Sequence, residues 1–364
     1  MISPIQNTDQ RPLILDQKPE LWDLAQAPDY RRAQLIDWIY QKRANTFAEM
    51  LNLPKDLRSH LESHYRLKGL ELVKGQGSGD TTRKFLFQLH HGDYIESVLI
   101  PASPALYGER SDRHTLCLST QVGCAYGCKF CASGLDGWKR NLSSGEIYSQ
   151  IIEVERHSGK KINNLVFMGM GEPLANFENL MAAIDVINAD WGLHIGARHI
   201  TISTSGLVPR IKDLADQPRQ LRLAISLHGA SNEVRSIIMP VNKKYPLEEL
   251  LEACDYFQAK KKKMITFEYI LIAGINDQLE QARLLVRHAR HLHAKINLIP
   301  YNNVEGLTWD RPNRQTIQDF ASILKNGHIP CTVRLEKGHD IDAACGQLRL
   351  KQNKPEPAAL ALQI

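Results

Sequence analysis

The stretch Thr115–Cys131, TLCLSTQVGCAYGCKFC, limits what this chain can become more than any other part of it. Cys124, Cys128 and Cys131 stand at the spacing C-x3-C-x2-C, and Cys117 lies seven residues before Cys124 on what reads as a strand, between Leu116 and Leu118. Thiolates are soft ligands that bind iron–sulfur clusters, zinc or copper. Three of them can hold three irons of a [4Fe–4S] cube and leave the fourth iron an open position, as catalytic metal sites have and structural ones do not. Structural zinc sites usually pair two ligand halves, and no second half follows here. The competing readings are a structural metal knuckle and three unrelated buried cysteines. Phe130, just before the last cysteine, is placed to shield a cluster.

A chain of 364 residues accommodates one large catalytic domain and a smaller appendage. Hydrophobic residues make up 43% and charged residues 23%, an ordinary soluble composition. No apolar run reaches the roughly 18 residues of a membrane helix, so no membrane association is expected. The opening MISPIQNTDQRPLILDQ lacks a basic region followed by an apolar core, so it does not read as a signal peptide. Seven cysteines, three of them read as ligands, fit a reducing cytoplasm better than a disulfide framework. The formal charge of +5 and pI of about 8.7 are compatible with RNA binding without arguing for it.

Residues 1–18 read as a loose lead-in and residues 19–70 as helical, within an accessory module of residues 1–80. Leu35, Ile36, Ile39 and Tyr40 recur at helical spacing behind Asp29 as N-cap, a second helical stretch covers 47–53, and Pro54 opens a third. Arg31, Arg32, Lys42, Arg43, Lys55 and Arg58 would lie outside, able to touch a phosphate backbone; a solvated helical face is the plainer reading. Residues 81–113 read as a hairpin centred on HHGD and a loop. Glu96 sits on its second strand, where an acid usually faces outward.

From residue 114 to 348 strands and helices alternate. Candidate strands cover 115–120, 164–169, 199–204, 222–227, 265–272 and 295–300; helices cover 177–188, 246–259 and 277–292, and a capping box, Ser143 with Glu146, opens another. Six β–α units in series predict an α/β fold: a parallel sheet with outer helices, curled into a full or partial barrel, with its chemistry at the C-terminal ends of the strands. Those ends carry MGMGEP with Gly171 and Glu172, then Ser203, then Ser226, Leu227 and His228, then Asn302. Each alone is as consistent with a plain turn. The run Lys260–Lys263 reads as a solvated loop, and Cys254 and Cys331 as buried hydrophobes. Cys345 lies in the small, polar GHDIDAACGQL, and residues 349–364 read as a frayed tail.

The segments GCAYGCKFCAS, WKRNL, MGMGEPL, TISTSGLVPRI, AISLHGASNEVRSIIMPVNKKYPL, INLIPYN and DIDAACGQL together resemble the RlmN/Cfr group of radical S-adenosylmethionine (SAM) RNA methyltransferases, over about residues 96–348. The resemblance implies a partial (βα)6 radical-SAM barrel with a small helical N-terminal RNA-binding domain. It implies a [4Fe–4S] cluster on Cys124, Cys128 and Cys131, and SAM bound by Gly171, Glu172, Ser203, Ser226, Leu227, His228 and Asn302. It makes Cys345 the methyl acceptor, Cys117 the cysteine that resolves a covalent RNA intermediate and Glu96 a proton acceptor. The implied substrates are an adenosine of 23S rRNA, methylated at C2 before ribosome assembly is complete, and an adenosine beside the tRNA anticodon; the implied electron donor is a protein such as flavodoxin. GEPL and DIDAACGQL favour the RlmN branch. The loop Pro101–Arg113 is longer than in many relatives, and ASGLDGWKRNL is also found in Cfr-like members, so C8 methylation is the nearest alternative. A non-catalytic, zinc-containing RNA-binding protein is the alternative from another class.

Overall fold

The computed structural model describes residues 9–79, 81–102, 111–135, 137–302, 306–334, 341 and 348. Helix α1 (Tyr30–Ile36) continues into a π-turn, Asp37–Gln41, and together they bury Leu35, Ile39 and Tyr40. Asp29 is the N-cap residue of α1, but its side chain makes no capping hydrogen bond. A 3-10 turn at Phe47–Glu49 and helix α2 (Lys55–His64), with Leu57 and Leu61 buried, complete the helical part.

Two boundaries differ from the sequence reading. The lead-in is anchored: Leu13, Ile14 and Leu15 are buried, and Asp16 Oδ1 accepts from the Gly145 N–H at 2.8 Å. The helical module also ends early, because Leu70–Gly77 forms strand β1. LELVKGQG tolerates either state locally, and antiparallel pairing with β2 (Arg83–Leu89) decides it. The HHGD turn then leads into β3 (Tyr94–Pro101), as expected.

Strand β4 (His114–Cys117) precedes a small hairpin, β5 (Gln121–Gly123) with β6 (Trp138–Asn141). Helix α3 (Ser144–Ser158) starts on the expected capping box, with Ser143 Oγ accepting from the Glu146 N–H and the Glu146 carboxylate accepting from the Ser143 N–H. The units that follow are β7 (Asn164–Phe167), α4 (Phe177–Asn188), β8 (Ile200–Thr204), α5 (Val208–Asp216) and β9 (Arg222–Ser226). After α6 (Asn232–Ile238) and α7 (Leu247–Lys261) come β10 (Thr266–Leu271), α8 (Leu279–His291), β11 (Lys295–Pro300), α9 (Arg314–Asn326) and β12 (Cys331–Val333).

Strands β4, β7, β8, β9, β10, β11 and β12 pair in that order, all parallel, and β1–β3 extend the β4 edge antiparallel. This is the (βα)6 arrangement with one further strand. The sheet is open among the described residues, since β1 and β12 are its two edges. Apolar side chains such as Leu165, Ile202, Leu223 and Phe267 fill the layer under the helices. No helix among the described residues is long and apolar enough to cross a membrane.

The helical module is clamped to the barrel by polar contacts as well as by packing. Arg43 Nη2 lies 2.6 Å from Glu155 Oε2 on α3, both side chains about one-tenth exposed, so Arg43 is not part of a free basic face. Arg32 is likewise turned inward, donating to the Pro19 carbonyl. The reason is tertiary: α3 places an acid where the end of the π-turn arrives. Tyr40 and Tyr148 share a buried hydroxyl–hydroxyl hydrogen bond of 3.0 Å across the same junction.

Candidate active site

The register decides which side chains meet. Paired residues share a face of a sheet, as do residues two apart on one strand. Glu96 and Val98 alternate together on β3, Val98 pairs with Cys117, and Cys117 with Val166. The same face continues through Met168, Ser203, Ser226, Glu268, Ile270 and Ile299. The last six line a cleft with about 830 Å³ of empty space, part of it open to solvent, at the C-terminal ends of the strands. Glu96 and Cys117 are therefore on the cleft face of the sheet. For Glu96 this overturns the outward-facing expectation: it is buried, 3.1 Å from Lys84 Nζ, which is buried as well.

The cysteine loop closes the mouth of this cleft. Hairpin β5–β6 holds its base, with the Cys124 N–H donating to the Gly137 carbonyl at 3.0 Å. The Lys129 N–H donates to the Ile238 carbonyl, and the Cys131 N–H to the Cys128 carbonyl, each at 3.0 Å. Sequence reasoning did not find the hairpin, because a three-residue strand and the polar WKRN carry almost no strand signal. Cys124, Cys128 and Cys131 all line the cleft. Burial pushes the Cys124 thiol up to about 12 and the Cys128 thiol far above its ordinary range, and neighbouring thiols add to both. Such sulfurs hold their protons until a cation displaces them.

Polar groups from successive strands face the cysteines. Gly171 has φ +97°, and a Cβ there would sit 2.5 Å from Gln121 Cβ, so only glycine lets the β7 loop lie against β5. Glu172 is buried, and burial raises its pKa even though its carboxylate accepts from the Leu174 N–H at 3.0 Å and the Ser205 N–H at 2.7 Å. It thereby ties the β7 loop to the β8 loop. Burial depresses His228 to about 3, so it is neutral; its Nδ1 accepts from the Ile270 N–H at 3.0 Å, which places the ring proton on Nε2. Its ring stands edge-on to Phe130 at 4.6 Å. Asn302 follows β11, and its buried Oδ1 lacks a hydrogen-bond partner. Cys345 lies outside the described residues. Leu348, three positions on, has its carbonyl 2.8 Å from the Ser133 Oγ donor in the wall of the cleft.

Two residues that sequence reasoning missed belong to the site. Glu268 lines the cleft, with Oε1 accepting from Asn297 Nδ2 at 2.8 Å while its buried Oε2 has no hydrogen-bond partner. Its signal was a lone acid inside the apolar run ITFEYILI. Arg235 is fully buried; its guanidinium donates to the carbonyls of Leu227 and Ser205 and to Asn242 Oδ1, at 3.1, 2.6 and 2.8 Å. Burial lowers its pKa to about 10, which leaves it charged at neutral pH, and that charge favours the thiolate of Cys128. Arg235→Ala strands three acceptors, at on the order of 1–3 kcal/mol each. The expected result is a large drop in the urea midpoint together with lower iron occupancy after reconstitution; an unchanged midpoint would remove Arg235 from this role.

Residues 118–286 match the model of the radical SAM superfamily, and residues 23–67 match that of the ribosomal RNA large subunit methyltransferase N-terminal domain. The chain is 55% identical over 325 residues to the probable dual-specificity RNA methyltransferase RlmN of Akkermansia muciniphila, covering 89% of this chain and 90% of that one. It is 46% identical to the protein of the same name in Halalkalibacterium halodurans, covering 93% and 92%. The crystal structure of a radical SAM methyltransferase from Sphaerobacter thermophilus superposes with a TM-score of 0.87 at 40% identity, over 93% of this chain and 99% of that one. The chain belongs to the RlmN family of radical SAM RNA methyltransferases, which work with a [4Fe–4S] cluster and S-adenosylmethionine.

Proposed function

We propose that this protein methylates C2 of an adenosine in the peptidyl-transferase region of 23S rRNA, before the ribosome is fully assembled, and an adenosine beside the tRNA anticodon. The observation that carries this reading is that the three loop cysteines and the polar strand ends line one cleft, on the sheet face that also carries Cys117 and Glu96. The dual-specificity name of its relatives supports the second substrate. Cys124, Cys128 and Cys131 would hold the cluster, and Gly171, Glu172, Ser203, Ser226, Leu227, His228 and Asn302 would surround SAM. Asn302 Oδ1, which has no hydrogen-bond partner, and Glu268 Oε2, met only by Arg334 Nη1 at 3.9 Å, fit a ligand rich in hydroxyl and amino donors. When bound, the cluster and SAM supply hydrogen-atom abstraction by a 5′-deoxyadenosyl radical. A flavodoxin-type protein is the proposed source of the electron.

The chain's own groups do the rest. C2 of adenine is electron-poor and no nucleophile, so the methyl group is first carried by sulfur. Cys345 takes it as a thioether and later becomes joined through that carbon to the base. Glu96 accepts the ring proton, and the odd electron left on the ring after addition would return to the oxidised cluster, leaving a closed-shell thioether link. The Cys117 thiolate then attacks Cys345 Sγ: an S–S bond forms, the S–C bond breaks, and its electron pair takes a proton to complete the new methyl group. Holding both sulfurs and the base in one cleft makes these steps unimolecular. The base must leave its stack to enter. On the helical module, exposed Lys42 lies 4.2 Å from the Trp38 ring while paired with Asp37, and half-buried Arg31 lies 4.7 Å from the Tyr30 ring; cations beside aromatic rings suit an RNA backbone and its bases.

The test is mass spectrometry of nucleosides from 23S rRNA and tRNA treated with anaerobically reconstituted enzyme, SAM and reductant. The expected product is 2-methyladenosine from both RNAs. Formation of 8-methyladenosine instead would overturn the regiochemistry, and an unmodified tRNA would remove the second substrate.

A further inference from the structure

We infer that Asp23, His60 and His64 form a site for a transition-metal dication of the zinc class, which clips the segment around Asp23 to the end of α2. The site lies on the helical module and is separate from the cleft. One ligand atom from each of the three residues lies within 4.8 Å of the other two. His60 and His64 are four apart on the last turn of α2, so they share a face, and their rings stack at 4.0 Å with 29° between planes. His60 Nε2 lies 3.0 Å from Asp23 Oδ2. Ligands on one tetrahedral zinc, at bonds of about 2.0–2.1 Å, stand roughly 3.3 Å apart; His60 Nε2 and Asp23 Oδ2 already stand that close, and one imidazole turns out of the stack to bring its nitrogen to the same ion. Two imidazoles and a carboxylate, with water in the remaining position, are an ordinary borderline donor set.

The ligands are also oriented from behind, as metal ligands tend to be. His64 Nδ1 lies 2.8 Å from the His60 carbonyl, which can only accept, so the ring proton is on Nδ1 and Nε2 keeps its lone pair. Asp23 Oδ1 accepts from the Ala25 N–H at 3.0 Å, and the Asp23 N–H donates to the Tyr65 hydroxyl at 3.0 Å. The clipped segment is conformationally costly: Ala25 and Gln26 both have left-handed backbones, φ 50° and 61°, which side-chain-bearing residues disfavour. A cation across Asp23 and α2 would hold this turn and so stiffen the module.

The experiment uses full-length, cluster-loaded protein freed of loosely bound metal and titrated calorimetrically with ZnCl₂. One zinc per chain should bind with the iron content unchanged, and the melting temperature should rise with zinc concentration by mass action. His60→Ala and His64→Ala should each weaken zinc binding by about tenfold or more. His64→Gln, at an exposed position, serves if His60→Ala does not fold. Absence of zinc binding, or wild-type zinc affinity in the His64 variants, overturns the inference.

Discussion

Cys128→Ala is expected to yield a folded protein that carries no stable [4Fe–4S] cluster and produces no 5′-deoxyadenosine from SAM. Two thiolates cannot hold the cube as three do, and the sequence of the loop, 124–137, holds no fourth cysteine. Cys128 is a more demanding position than Cys124. Burial and the other two thiols oppose its ionisation, and the Arg235 charge favours it. The loop itself should survive, since its anchors are backbone hydrogen bonds at Cys124, Lys129 and Cys131 and the β5–β6 hairpin. Iron and sulfide analysis, absorbance of the reconstituted protein and 5′-deoxyadenosine assay provide the check. The same loss is expected for Cys124→Ala and Cys131→Ala. Full iron occupancy with wild-type turnover in any of them would refute cluster ligation by these residues.

Cys117→Ala and Cys345→Ala should fail in different ways. In the proposed scheme Cys345 is the methyl acceptor, so without it neither protein nor RNA should gain a methyl group. Without Cys117 the earlier steps remain possible, and what disappears is the thiol that cleaves the Cys345–carbon bond. The enzyme should stall with RNA attached. Cys117 is buried at the end of β4, on the cleft face. Denaturing gels after incubation with SAM, reductant and an rRNA fragment should show a slow, nuclease-sensitive band for Cys117→Ala only. That band from both variants, or from neither, would refute the assigned roles. Two merely structural cysteines would cost stability and trap nothing.

The elements legible in the sequence are those governed by neighbours a few residues away. The strand cores at 164–167, 200–204 and 295–300, the capping box at Ser143 and Glu146, and the Cys124–Cys131 spacing are all local patterns. So is the order of β–α units, because right-handed crossovers leave a serial chain few ways to build a parallel sheet. The side-chain environments were decided elsewhere. Glu96 faces the cleft because β3 pairs with β4 in one register, and a slip of a single residue would turn it outward. Leu70–Gly77 is a strand because β2 offers it an edge. Arg43 is held by Glu155, which is more than a hundred residues away, and the local sequence of the module shows only a cation. Glu268 joins the site because five strand ends meet around one cleft, and Arg235, on α6, supports it from behind through the carbonyls of Leu227 and Ser205. The sequence by itself therefore determined the elements, their order and the cysteine loop, whose causes are local periodicity and ligand spacing. Only the tertiary structure decided which face each polar group occupies and which partner meets its charge, because both depend on register between segments that the chain separates.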